Sequence, residues 1–100
     1  MSNRLELHSE LQQFITNLYF QPPVNKSIKY PCIVYNRAGN RRDYGNNDIY
    51  LKKRRYTLTL IEESPDSELA DEIEKYFEYC SIDQYFTKDN LNHTTLTLYY

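Results

Sequence analysis

The chain has 100 residues, 40% hydrophobic and 26% charged, which suffices for one globular domain with a thin core. Its formal net charge of −2 excludes a broadly basic nucleic-acid binder, and no apolar run approaches transmembrane length. Cys32 and Cys80 lie far apart without zinc-ligand spacing, so two buried or half-buried free thiols in a reducing compartment are expected.

The polar start, MSNRLELHSE, does not read as a secretory leader, and a soluble protein is expected. There are 11 tyrosines and no tryptophan. Two readings of that bias stand together. Tyrosine packs well in sheets, and it is enriched at protein interfaces because its ring buries while its hydroxyl stays wet.

Ser2 or Asn3 can cap a first helix, on which Leu7, Leu11, Phe14, Ile15 and Leu18 form one stripe at spacings of three and four. Gln21-Pro22-Pro23 is expected to end it. Pro31 opens a short apolar run, Cys32-Ile33-Val34-Tyr35, read as the first strand. Residues 36–48, rich in Asn and Arg and holding Gly39 and Gly45, read as a long polar connection between strands.

Residues 50–61 combine two patterns. Tyr56, Leu58 and Leu60 alternate with Thr57, Thr59 and Ile61, a period of two that predicts a strand with a buried face. Before them stand Lys52, Lys53, Arg54 and Arg55, four cations that do not enter a core unpaired. Glu62 to Ser67 is a turn, with Ser64 as N-cap and Pro65 at the first helical position. The second helix buries Leu69, Ile73, Tyr76, Phe77 and Cys80 and presents an acidic face of Glu68, Asp71, Glu72, Glu74 and Glu78.

Residues 82–87 read as a third strand, Ile82, Gln84 and Phe86 alternating with Asp83, Tyr85 and Thr87. Lys88-Asp89-Asn90 is a turn signal. A fourth strand runs from Leu91 or Thr94 to Tyr100, with Leu96, Leu98 and Tyr100 on one face and Thr95, Thr97 and Tyr99 on the other. The expected fold is α+β in the order α-β-β-α-β-β: one domain over residues 1–100, a four-stranded, mainly antiparallel sheet, two helices packed on one of its faces, and a long β-hairpin loop.

Little in the chain carries catalytic chemistry. There is no glycine-rich phosphate loop, and neither His8 nor His93 has a neighbour at metal-ligand spacing. Asp89-Asn90-Leu91-Asn92-His93 reads as a turn whose side chains satisfy nearby backbone. No catalytic residue, metal or cofactor is expected.

Charge is distributed unevenly. Residues 37–55 carry seven cations, Arg37, Arg41, Arg42, Lys52, Lys53, Arg54 and Arg55, against Asp43 and Asp48. Residues 62–89 carry ten Asp and Glu against Lys75 and Lys88. The basic stretch invites one binding reading, in which Tyr35, Tyr44, Tyr50 and Tyr56 stack bases while the cations neutralise phosphates. The charge split invites another. A subunit with a basic arm and an acidic helix is complementary to its own copy, and such a head-to-tail contact closes into a ring where the rotation permits. On that reading the interface comprises Arg41, Arg42, Tyr44, Tyr50, Lys52, Lys53, Arg54 and Arg55 on one side and Glu68, Asp71, Glu72 and Glu74 on the other.

Several segments together carry a family resemblance over roughly residues 31–100. They are Tyr44-Gly45-Asn46-Asn47-Asp48-Ile49-Tyr50, Tyr56-Thr57-Leu58-Thr59-Leu60-Ile61, Ser64-Pro65-Asp66-Ser67, Cys80-Ser81-Ile82-Asp83, Asp89-Asn90-Leu91-Asn92-His93 and Leu98-Tyr99-Tyr100. In that order the set resembles the tail terminator, or tail completion, proteins of bacteriophages with long non-contractile tails. Gly45 and Asn46 stand where Ala and Asp are usual in that pattern, and Gln84 where a basic residue is common.

The resemblance implies a virion structural protein and not an enzyme. It implies a homo-oligomeric ring, typically hexameric, on the head-proximal end of the tail tube, which ends tube polymerisation and joins the tail to the head connector. The implied partners are tail tube protein and connector protein, with DNA only passing through the lumen and no membrane. The implied location is the virion tail or neck, after assembly in the host cytoplasm. A neighbouring head–tail connector component, stopper or adaptor, is the alternative within the same class. A small nucleic-acid-binding module using the basic hairpin is the alternative outside it.

Overall fold

The computed structural model describes residues 4–21, 28–38 and 54–100. The element order is α1 (Arg4–Leu11), β1 (Leu18–Phe20), β2 (Cys32–Arg37), β3 (Arg55–Glu62), α2 (Leu69–Tyr76), β4 (Cys80–Lys88) and β5 (Leu91–Tyr99). The α+β class holds, with two helices among the described residues. Among the described residues the sheet has five strands in the order β1-β2-β3-β5-β4, not the four expected. β1 pairs parallel to β2 and every other pair is antiparallel, so the sheet is mixed.

The extra strand corrects the reading of the N-terminal segment. The helix ends at Leu11, where the Phe14 and Ile15 amides return to the Leu11 carbonyl, and Leu18 lies in β1 opposite Ile33. The stripe of sequence spacing ran on through Leu18 by coincidence. Amides beside an exposed strand gain more from pairing than a frayed helical turn does. The Ile33 amide bonds the Asn17 carbonyl at 3.0 Å and the Gln21 amide bonds the Tyr35 carbonyl at 2.8 Å, extending the pairing beyond three residues.

Alternation in β3 and β5 sets the core. Tyr56, Leu58 and Leu60 are buried on one face, opposite Leu98, Leu96 and Thr94. Ile33 and Tyr35 of β2 continue that face, and Leu7, Leu11, Ala70, Ile73 and Phe77 bring both helices onto it. Each fully buried Leu or Ile contributes about 1.5–3 kcal/mol through its removal from water. β2 is also buried on its other side, through Cys32 and Val34, which accounts for an unbroken apolar run. The thiol reading therefore fits: Cys32 is buried, Cys80 is half-buried, and both are free.

α2 begins later than Ser64 and Pro65 suggested. Ser64 Oγ accepts from the Asp66 amide at 3.3 Å and closes a turn, while Ser67 Oγ accepts from the amide of Leu69, the first helical residue, at 3.2 Å; the N-cap position itself is Glu68, with no side-chain cap bond. Cys80 is not on the helix but opens β4, and Tyr76 is 48% exposed despite its place in the expected buried stripe. Ala70, absent from the expected stripe, is buried in the core.

β4 is the edge strand at the opposite side of the sheet from β1. Its register shifts between Ile82 and Gln84, a bulge at Asp83. The shift inverts the expected alternation. Ile82 lies opposite Leu96 on the core face, but beyond the bulge it is Tyr85, opposite Thr94, that shares this face. Gln84 and Phe86 lie opposite Thr95 and His93 on the other. A two-residue turn, Asp89 (φ 54°) and Asn90 (φ 63°), closes the hairpin between the paired Lys88 and Leu91. Two successive positive φ values suit a right-twisted hairpin, and Asp and Asn tolerate them.

Candidate assembly surface

Of the expected interface residues, Arg41, Arg42, Tyr44, Tyr50, Lys52 and Lys53 lie outside the described residues. Arg54, Arg55, Glu68, Asp71, Glu72 and Glu74 lie within them. The expected hairpin arm is rooted between two described ends. β2 and β3 pair up to Arg37 and Tyr56, and the Ala38 amide bonds the Arg55 carbonyl at 2.8 Å. On the other side of β3, Arg54 and Tyr100 exchange both backbone bonds, at 3.1 and 2.9 Å. Tyr100 thus clamps the strand where the basic run enters the sheet.

Register divides the two cations. Arg55 lies opposite Tyr99 on the face away from the helices, while exposed Arg54 follows the opposite alternation, at the end of the sheet beside Tyr100. The acidic residues lie in the helix layer. Glu68, Asp71 and Glu72 are exposed along the first half of α2, whose Ala70 and Ile73 face the core. The sheet therefore stands between Arg55 and the acidic face of α2.

Glu74 does not belong to that exposed face. It is half-buried, and its Oε2 accepts from the Ile82 amide of β4 at 3.0 Å. An edge-strand amide has no ladder partner on its outer side, and a carboxylate satisfies it with a charge-assisted bond. Glu74, one of the expected intersubunit residues, is thus engaged within the subunit as a brace of β4.

The base-stacking reading also needs correction. Tyr35 and Tyr56 are fully buried, their rings edge-on at 6.1 Å, and neither face is open to a nucleobase. Tyr35 packs further against Phe20 at 5.1 Å, and its hydroxyl meets His8 Nδ1 at 2.7 Å. Burial raises the Tyr35 pKa against the opposing influence of Arg4, and burial together with Arg4 lowers that of His8. Arg4 itself stacks over the Phe20 ring, 4.3 Å from its centroid. Tyr35 thus holds α1 to the sheet, with Tyr56 packed behind it.

One further feature was not read from the sequence. A cleft of about 340 Å³ opens between the start of α2 and the β4–β5 hairpin, lined among others by Ser64, Asp71, Tyr85, Thr87, Asn92 and Thr94. Beside it the edge of the sheet carries two exposed aromatics, Tyr85 at 67% and Phe86 at 38%, the latter stacked on His93 with centroids 4.8 Å apart. The adjacent pair Tyr85-Phe86 was the available signal. A strand buried on one face should expose one of two neighbours, and the bulge with its edge position exposes both.

Among the described residues no cluster of His, Cys, Asp and Glu is arranged to hold a metal ion, and no helix is long and apolar enough to cross a membrane. Compared with known protein families, with curated proteins and with solved structures, the chain matches none.

Proposed function

We propose that this protein is a non-enzymatic virion subunit, a tail terminator that forms a ring, hexameric in the family it resembles, on the head-proximal end of a phage tail tube. There it ends tube growth and joins the tail to the head connector, while DNA passes through its lumen. The reading rests on the sequence resemblance over residues 31–100. The observation that best supports it is the placement of opposite charges on different sides of one small domain: Arg55 on the open face of the sheet, Glu68, Asp71 and Glu72 on the helix layer behind it. Surfaces so separated meet between copies head to tail, the geometry that closes into rings. Assembly takes place in the host cytoplasm and the product resides in the tail or neck of the virion.

The test is charge reversal read by mass measurement, negative-stain imaging and co-assembly with tail tube protein. Reversing Arg54 and Arg55 to Glu should abolish rings, or binding to tube ends, while the circular dichroism spectrum stays native. Reversing Asp71 and Glu72 to Lys in the same chain should restore them. Glu74 is left untouched because its carboxylate serves the fold. A single exposed ion pair is worth about 0–1 kcal/mol, so only contacts repeated around a ring give an observable effect. A reversed variant that caps tubes as well as the native chain would sink the proposed pairing. Tubes of unchanged length in the absence of the protein would sink the terminator reading.

A further inference from the structure

We infer that the outer half of β4 is a self-association edge, on which a second copy of this chain pairs antiparallel about a two-fold axis through Phe86. The inference does not depend on the tail-end reading, and it uses neither Arg54, Arg55 nor the exposed carboxylates of α2.

The direction of each backbone group on β4 follows from its register with β5. The Tyr99 amide bonds the Tyr79 carbonyl at 2.9 Å, so in the stretch where Cys80, Ser81 and Ile82 face Leu98, Thr97 and Leu96, Ile82 turns its amide outward. That amide is the one Glu74 covers. Beyond the bulge the phase is set from the other end. Lys88 and Leu91 close the two-residue turn with their backbone groups turned toward each other, so Phe86 also faces β5, while Tyr85 and Thr87 face away from the sheet. The first half of the edge is thus closed by a carboxylate and a bulge, the usual protections of an edge strand. The second half carries neither.

The open half complements itself. With the axis at Phe86, Tyr85 of one copy lies opposite Thr87 of the other, twice, and each pair exchanges two backbone bonds through the outward groups. Gln84 meets Lys88, so no like charges are opposed within the paired stretch. The two Phe86 rings meet on the open face beside their stacked His93 partners. The two-fold axis is perpendicular to the sheet, so core face continues into core face. On that side each Tyr85 approaches the partner's Thr87, which borders the cleft beside the start of α2. The cleft, the exposed Tyr85 and the edge amides left uncovered among the described residues then have one occupant in common, the same strand of a second copy. Pairing at an uncovered strand edge draws affinity from the main chain and specificity from the side-chain pocket.

The experiment is sedimentation equilibrium of the full chain from micromolar to millimolar concentration, with hydrogen exchange of individual amides in the same samples. The expected result is a monomer–dimer equilibrium in which the Tyr85 and Thr87 amides become protected as concentration rises and the Ile82 amide does not change. Thr87→Pro deletes one outward N–H in each copy without touching the β4–β5 ladder, and an outward edge position tolerates proline. It should weaken the dimer by about tenfold or more. Tyr85→Lys, which replaces the exposed aromatic opposite Thr87 of the second copy with a cation and leaves the backbone groups in place, should weaken it too. Raising salt should leave this contact intact while dissolving one made by the charged surfaces, so the two associations fail separately. A chain monomeric at every concentration overturns the inference. So does a dimer in which the Tyr85 and Thr87 amides exchange freely.

Discussion

Glu10 of α1 bridges Tyr76 and Tyr100: one carboxylate oxygen accepts from the hydroxyl of Tyr100, and the other accepts from the hydroxyl of Tyr76 at 3.0 Å. Around it Phe14 lies edge-on to Tyr76 at 5.2 Å, and Phe77 edge-on to Tyr100 at 6.2 Å. One side chain thus ties α1 to α2 and to the strand end that clamps Arg54. Glu10→Ala should destabilise the fold by about 1–3 kcal/mol, as expected for losing bonds to a charged acceptor. Tyr100→Phe should account for more of that loss than Tyr76→Phe, because Tyr76 is exposed and its bond competes with water. Urea unfolding of the single variants and the Glu10–Tyr100 double mutant measures the coupling.

How far the fold could be read in advance depended on whether side-chain pattern or backbone geometry decided each element. The alternation of Tyr56, Leu58 and Leu60 and of Leu96 and Leu98 placed β3, β5 and their buried face, because burial on one side imposes period two. β1 was missed because a three-residue parallel edge has no room for a period, and Leu18 fitted the helical stripe as well as the strand. The bulge at Asp83 carries no compositional mark, and it alone exchanged the faces of Tyr85 and Phe86. In the candidate surface, the exposure of Glu68, Asp71 and Glu72 was legible from helical spacing. The engagement of Glu74 was not, since it depends on the position of an edge amide eight residues away in sequence.

The turn between β4 and β5 should be sensitive to substitution in one direction. Asp89 and Asn90 both hold positive φ, at 54° and 63°. Asn90→Gly removes the steric cost of that conformation and should be neutral or slightly stabilising. Asn90→Val places a β-branched residue where its Cβ collides with backbone and should cost about 1–3 kcal/mol. Thermal unfolding distinguishes the pair, and a valine variant as stable as the native chain would refute the turn geometry.

Stability should fall on acidification through His8. Burial and then Arg4 lower its folded pKa below the ordinary 6.5. The unfolded chain therefore binds a proton more readily than the folded one, so stability rises with pH between the folded and unfolded pKa values. It should decline as the pH falls below about 6.5 and level off once the folded pKa has been passed. Protonation would also turn His8 Nδ1 into a donor toward Tyr35, beside the Arg4 cation. Imidazole titration by NMR should give a midpoint below that of a free peptide, and His8→Gln should flatten this part of the stability profile.

The two thiols should react slowly, for different reasons. Burial pushes Cys32 up to about 11 and, with it fully enclosed on β2, modification must await opening of the sheet. Cys80 is partly exposed at the start of the edge strand, yet burial first, then Glu74 and Asp83, push it up to about 12. The thiolate is the nucleophile, so a high pKa suppresses reaction even where reagent can reach the sulfur. Maleimide labelling of the native chain near neutral pH should be slow at both sites and fast in urea. Glu74→Gln removes one of the charges opposing ionisation of Cys80 while keeping a side-chain oxygen for the Ile82 amide. It should accelerate Cys80 alone, and equal acceleration of Cys32 would mean that Glu74 acts on global stability instead of on the thiol beside it.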